Sequence, residues 1–180
     1  MATFLTIGHS NRSVDELIGM LCDAQVSVLI DVRTFPRSRA NPAFNIETLP
    51  DDLAEVQIGY RHCPALGGRR GKQPDVDERT NALWRVQSFH NYADYAMGDA
   101  FAVAYRQLVQ MGSAQRPALM CSEAVWWRCH RRIIADYLML DGHAVCHLMA
   151  SGRCEPAKLT PGAVKSPDGK VIYPASLNLS

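Results

Sequence analysis

The sequence predicts a single three-layer α/β domain, Rossmann-like, with a mostly parallel sheet of about five strands and helices on both faces. Three observations lead there. Short apolar, β-branched runs alternate with amphipathic stretches along most of the chain. The connections between them are mostly short, as strand–helix–strand units with parallel strands require. The chain has 180 residues, 47% of them hydrophobic and 21% charged, which suits one ordinary globular domain. Residues 1–150 read as the α/β core and 151–180 as an extended tail packed on the same domain.

Phe4-Leu-Thr-Ile7 is the first strand and ends at Gly8-His9-Ser10. Ser13 then fits a helix N-cap, with Glu16 three positions on as its capping-box partner. Leu17, Ile18, Leu21 and Cys22 form the helical stripe. Val26 to Ile30 reads as a buried strand that runs into Asp31-Val-Arg33. Residues 34–46, with Pro36 and Pro42, form a long loop of the kind that often carries function. A short helix spans Thr48 to Val56 with Pro50 in its first turn, and Gly59 to Cys63 is a weaker strand. Residues 66–80 are glycine-rich and charged and read as a mobile loop. Two helices follow, at about 89–97 and 99–111, the second ended by Gly112. Ala118 to Cys121 is a strand, Cys129 to Leu140 a helix stopped by Gly142, and Ala144 to Met149 the last strand of the core. The tail carries four prolines and at most one short strand, at Lys170 to Tyr173.

Composition restricts the function. The net charge of +1 gives no overall field for nucleic acid or membrane. No apolar run reaches the ~18 residues of a membrane span, and the amino terminus shows no secretory pattern. Six scattered cysteines without a C-x-x-C, in a chain without a visible signal, suit a reduced, cytoplasmic setting better than a disulfide framework.

Ligands of parallel α/β sheets bind beyond the carboxyl ends of the strands. Three predicted strands end in reactive groups at that place: His9, then Asp31 and Arg33, then Cys121 and Glu123. The segment Cys121-Ser-Glu-Ala-Val-Trp-Trp-Arg-Cys-His-Arg-Arg132 joins a strand to a helix amino terminus, whose free N–H groups favour anions. Cys121 beside such donors is a candidate thiolate. Glu123 is a candidate acid or base if the neighbouring tryptophans enclose it, and His130 needs no such help. His9 is a further acid/base or phosphate-donor candidate, and Asp31 a group that orients His9 or an arginine. Ser10, Arg33, Arg39, Arg69, Arg70 and Arg131 are the substrate-binding candidates, since guanidinium makes bidentate bonds with phosphate or carboxylate. Arg37 belongs with them.

These motifs together are a pattern. Thr6-Ile-Gly-His-Ser-Asn11, Asp31-Val-Arg33 with Pro36, Ser38-Arg39 and Pro42, Leu66-Gly-Gly-Arg-Arg70, and Cys121-x-Glu123 with Cys129-His-Arg131 resemble, in order and over nearly the whole chain, the family catalogued as domain of unknown function 488. The resemblance implies a bacterial or archaeal cytosolic α/β protein. It marks His9, Ser10, Asp31, Arg33, Arg39, Gly67, Arg69, Cys121, Glu123, Cys129, His130 and Arg131 as motif positions, and it supplies no substrate.

The expectation is an enzyme of hydrolase or lyase type acting on a phosphate-bearing substrate, a nucleotide or nucleic acid, with no cofactor. Two alternatives compete. One is a non-catalytic nucleic-acid-binding module, against which the near-neutral charge counts. The other is a metal- or redox-sensing protein in which Cys121, Cys129 and His130 hold zinc or iron, or Cys121 and Cys129 respond to oxidants.

Overall fold

In the computed structural model, which describes residues 1–175, the core is one six-stranded sheet in the order β3-β2-β4-β1-β5-β6. The strands are β1 (Thr3–Gly8), β2 (Val28–Asp31), β3 (Gly59–His62), β4 (Pro117–Cys121), β5 (Ala144–Ala150) and β6 (Arg153–Pro156). The first five run parallel, and β6 returns antiparallel along β5. The helices are α1 (Val14–Asp23), α2 (Leu49–Ala54), α3 (Gln87–Ala96), α4 (Asp99–Ala114) and α5 (Arg131–Leu140). The two-stranded hairpin of β7 (Val164–Lys165) and β8 (Val171–Ile172) lies apart from the sheet.

Alternation along the central strands divides the core into two layers. Leu5, Ile7, Leu29 and Met120 face α1 and α2, against Leu17, Met20, Leu21, Leu49 and Leu53. Phe4, Ile30 and Leu119 face α3, α4 and α5, against Tyr92, Phe101, Leu108, Ile133 and Leu138. The sheet is therefore covered on both faces. Its two central strands, β1 and β4, send their chains to opposite faces at their carboxyl ends, through α1 and α5. That divergence opens the crevice in which doubly wound sheets hold ligands.

Local chemistry sets the helix ends. Ser13 caps α1 by accepting from the Glu16 N–H at 3.0 Å. The reciprocal half of the expected capping box is not made, because the Glu16 carboxylate pairs with Arg12 at 2.8 Å. Gly142 adopts φ +87° just beyond α5, a backbone state open to glycine. Gly112, by contrast, does not end α4, which continues to Ala114. A Cβ at 112 would lie 2.3 Å from the Phe4 ring, so this glycine serves the packing of helix on sheet.

The tail is more structured than its composition suggested. Residues 153–156 form β6, which makes the sheet six strands wide. Tyr173 is fully buried; its backbone N–H donates to Asn81 Oδ1 and its hydroxyl to Asp136. The last five residues of the predicted tail, 176–180, lie outside the described residues. Cys146 and Cys154 are joined by a disulfide between β5 and β6, so the reduced setting expected from the scattered cysteines does not hold for this pair; Cys22, Cys63, Cys121 and Cys129 are free. Among the described residues, no helix is long and apolar enough to cross a membrane.

A buried histidine next to the site titrates with the fold. His147 on β5 meets the Thr6 hydroxyl through Nδ1 at 2.6 Å and stacks on Trp126 at 4.7 Å. Burial first, then the Arg131 charge, lower its pKa to about 4. The neutral form belongs to the folded state. Its stabilisation is complete above the unfolded value of about 6.5 and is lost as pH falls towards 4, amounting to about 3 kcal/mol. Denaturant midpoints should therefore drop between pH 6.5 and 4. In His147→Gln that drop should shrink by this share; an unchanged drop would show that His147 takes up its proton at the same pH in the folded as in the unfolded chain.

Candidate functional site

The crevice holds a cavity of about 360 Å³. It is lined by His9 from the end of β1, Arg33, Thr34, Phe35, Arg37 and Ser38 from the loop after β2, and Gly68 and Arg69 from the loop after β3. Ser88 and Phe89 come from α3, and Cys121, Ser122, Glu123, Arg128, Cys129 and His130 from the segment after β4. Of the residues singled out in the sequence, His9, Arg33, Arg37, Arg69, Cys121, Glu123, Cys129 and His130 thus converge on one space.

Two close approaches build it. The segment after β4 continues the sheet over β1: the His9 N–H donates to the Cys121 carbonyl at 2.9 Å and the Ser10 N–H to Ser122 at 3.0 Å. Gly8 permits this crossing, since a Cβ there would lie 1.9 Å from the Glu123 carbonyl oxygen. The second approach is at Gly68, where a Cβ would sit 2.4 Å from His130 Nδ1. Gly67 similarly leaves room for Thr34, whose hydroxyl accepts from the Arg69 N–H at 3.0 Å. The paired glycines of Leu66-Gly-Gly-Arg-Arg70 therefore bring Arg69 to the wall of the cavity.

Asp31 and Arg33 form a buried pair. The carboxylate is 0% exposed and receives Arg33 Nε at 2.8 Å, Arg33 Nη2 at 2.7 Å, the Arg33 backbone N–H and the Tyr60 hydroxyl. With both oxygens so occupied, Asp31 orients Arg33 and does not reach His9. Arg33 in turn donates to the Phe44 carbonyl at 2.7 Å and contacts His9 Nε2 at 3.3 Å. A guanidinium only donates, so Nε2 of His9 accepts, and Nδ1–H donates to the Ser10 carbonyl at 2.9 Å. Burial above all, aided by the Arg33 charge, lowers the His9 pKa. His9 is a neutral acceptor that holds Arg33 and stacks on Phe44 at 4.6 Å.

Arg131 lies beneath the cavity and not on its wall. It is 1% exposed. It donates from Nη2 to the Glu123 carbonyl at 2.7 Å, from Nη1 to Thr6 at 3.2 Å and from Nε to the Cys129 sulfur at 3.3 Å. None of these partners is a carboxylate. A buried guanidinium without a counter-charge is strongly unfavourable, and the available anion is the Cys129 sulfur. The Arg131 backbone N–H, at the start of α5, points to the same sulfur at 3.5 Å, and Cys121 Sγ lies 2.7 Å away. Burial opposes ionisation of Cys129, but the hydrogen bond from Cys121 and the interactions with His130 and Arg131 outweigh it and hold its pKa well below the ordinary thiol value. For Cys121, burial and the adjacent Cys129 sulfur push the pKa well up. The expected thiolate is thus Cys129, and Cys121 is the thiol that donates to it.

The other candidates separate clearly. His130 binds the Val32 carbonyl through Nε2 at 3.0 Å and places Nδ1 3.6 Å from the Cys129 sulfur. Glu123 is exposed at the rim, so the apolar enclosure expected from Trp126 and Trp127 is not formed. Ser10 stays outside the cavity; its carbonyl accepts from His9 and Asn41, and its φ is +44°. Arg39 is exposed and does not line the cavity. Arg70 turns away from it: Nε and Nη2 donate to the Gly67 and Pro64 carbonyls, and the guanidinium lies 3.9 Å over Tyr95. Arg70 therefore holds the glycine loop in shape. Arg128 and Phe35 carry no binding role in the sequence reading, whereas Phe89 belongs to the aromatic cluster Trp84, Phe89, Tyr92 and Tyr95, which could stack on bases but more often packs a core. Arg128 carried one visible signal, its place directly before Cys129-His130.

A metal fits these donors poorly. Among the described residues, no three His, Cys, Asp or Glu side chains cluster as a metal site. Two thiolates on one tetrahedral zinc, at Zn–S of about 2.3 Å, stand about 3.8 Å apart, whereas these sulfurs are at 2.7 Å. The second nitrogen of His130 is already bonded to a backbone carbonyl.

No curated protein and no solved structure matches the chain. The family described as Domain of unknown function DUF488 matches residues 13–138, well over half of the chain and most of the elements that build the cavity, and the chain belongs to that family.

Proposed function

We propose that this chain is an enzyme acting on a phosphate-bearing substrate, a nucleotide or a nucleic-acid strand, in the crevice between β1 and β4. The observation that carries the reading is the pair of Arg69 and Arg128. Both line the cavity, and neither guanidinium has a carboxylate partner among the described residues. Arg33 is held by Asp31 and Arg37 by Glu47, so Arg69 and Arg128 are the charges left for an anion. Phe35, 63% exposed, and Phe89 add flat apolar surfaces that suit a base. The cavity volume is that of a small-ligand site.

In this reading Arg69 and Arg128 grip the phosphate with bidentate, charge-assisted bonds. The Cys129 thiolate, held ionised by Arg131, attacks the phosphorus and displaces the leaving oxygen, which takes a proton from solvent; the solvent-facing Glu123 carboxylate then accepts a proton from the water that cleaves the phosphorus–sulfur bond and frees the thiolate. Binding is tested by thermal shift and calorimetry with inorganic phosphate, nucleoside phosphates and a short single-stranded oligonucleotide. Arg69→Ala and Arg128→Ala should each weaken the tightest of these by roughly ten-fold or more, the loss of about 1.4 kcal/mol or more of charge-assisted bonding. The proposal fails if no phosphate-bearing compound binds, or if both variants bind as the parent does.

A further inference from the structure

We infer that Cys129 and Cys121 are a peroxide-reactive pair: Cys129 is the site of oxidation by a small hydroperoxide, and Cys121 is the thiol that resolves it to a disulfide. The inference does not rest on an anionic substrate. It rests on three features of the cavity floor.

The first is distance. The two sulfurs are 2.7 Å apart and unbonded, about 0.7 Å beyond a disulfide bond of about 2.05 Å. The second is the charge arrangement. Arg131, fully buried and without a carboxylate, directs Nε and its backbone N–H at the Cys129 sulfur, and a thiolate is the form that attacks peroxides. The third is access. Both residues line the cavity although each is nearly buried, so the cavity is the route by which a small oxidant approaches them. Among the described residues, the other free cysteines, Cys22 and Cys63, make no hydrogen bond to a sulfur or a guanidinium, and burial raises the Cys63 pKa.

The chemistry balances in two steps. The Cys129 thiolate attacks one peroxide oxygen, the O–O bond breaks, and the departing oxygen takes a proton from solvent to leave as water or an alcohol. Cys129 is then a sulfenic acid. The Cys121 sulfur attacks it and gives up its own proton. The S–O bond breaks, and the hydroxide leaves with that proton as water. Two electrons pass from the two sulfurs to the peroxide. Disulfide formation also removes the negative charge that faces Arg131.

The sequence makes the product easy to map. Trypsin cuts after Arg106 and Arg128 but not between Arg116 and Pro117, so Cys121 falls in the peptide 107–128 and Cys129 in the peptide 129–131. The whole chain is treated with stoichiometric hydrogen peroxide, alkylated, digested without reductant and examined by mass spectrometry. The expected result is that these two peptides become joined, that a reductant separates them, and that their loss of alkylation runs roughly ten-fold or more ahead of Cys22 and Cys63. Cys121→Ser should stop at a sulfenic acid on Cys129 that dimedone traps; the wild-type map needs no variant to fold. Prior oxidation of Cys22 or Cys63 with Cys121 and Cys129 left reduced overturns the inference. So does over-oxidation of Cys129 with no cross-link, or a stoichiometric metal whose removal is what exposes the pair.

Discussion

Asp31→Ala should lower the unfolding free energy by about 3–5 kcal/mol, the usual cost of stranding one member of a buried ion pair. The carboxylate is 0% exposed and meets four donors, three of them from Arg33. Without it, a 6% exposed guanidinium keeps its charge and loses its counter-charge. The damage should spread into the cavity. Arg33 ties the loop after β2 to the core through the Phe44 carbonyl and is itself held by His9. That loop carries Phe35, Arg37 and Ser38, so ligand binding should fall with stability. Asp31→Leu combined with Arg33→Met removes both charges. It should recover most of the stability, because apolar groups of similar size replace buried pairs well, while leaving the binding defect. Urea denaturation of the single and double variants decides the matter. A loss below about 1 kcal/mol for Asp31→Ala is what an exposed pair gives and would contradict this account.

Gly8→Ala should be as severe by a different route. The added methyl carbon would lie 1.9 Å from the Glu123 carbonyl oxygen and 2.6 Å from its carbon. Both are backbone atoms, so no side chain can swing aside. Overpacking of this kind costs about 3 kcal/mol or more where the surroundings cannot yield. The carbonyl that must move is the one that receives Arg131 Nη2 and lies 3.8 Å from the Cys121 sulfur. The variant should therefore melt earlier and also expose Cys121 and Cys129 to maleimide labelling under native conditions. A melting midpoint equal to that of the parent, with unchanged labelling, would mean the crossing is looser than its geometry indicates.

Both substitutions strike positions whose meaning the sequence only half disclosed. Gly8-His9 and Asp31-Val-Arg33 were legible as strand ends in a parallel sheet, because hydrophobic alternation and short connections fix where such strands stop. The convergence of the segment after β4 with His9 and Arg33 follows from the same rule. What periodicity does not encode is which polar partner each side chain takes across the chain. Sequence alone leaves Asp31 orienting His9 or an arginine, and three-dimensional pairing gives it to Arg33, with Tyr60 as a further donor and His9 out of reach. Arg131 reads in sequence as a substrate-binding arginine, and it is buried because, from the first position of α5, its guanidinium reaches Thr6 on β1 and the Glu123 carbonyl. Arg70 and Arg69 are adjacent and chemically identical, yet Tyr95 and two carbonyls claim one and leave the other at the cavity. The ionised sulfur was misassigned for the same reason: the helix amino terminus and Arg131 face Cys129, eight residues beyond the strand end. Gly112 was read as a terminator, the commoner use of glycine near a helix end, when the Phe4 ring beneath it sets the requirement.

The short β6 strand has a consequence at the boundary of the sheet. Without it the parallel core would end at β5, seven residues with an open row of backbone donors and acceptors, the kind of edge on which other chains add as strands. The turn at Gly152 folds residues 153–156 over that row, and the new edge is only four residues long and closes on Pro156, which has no N–H to offer. The opposite edge, β3, is equally short and carries Arg61 and His62. Both margins of the sheet are thus blunted against self-templated aggregation, one by its own brevity and charge and the other by the carboxyl-terminal tail.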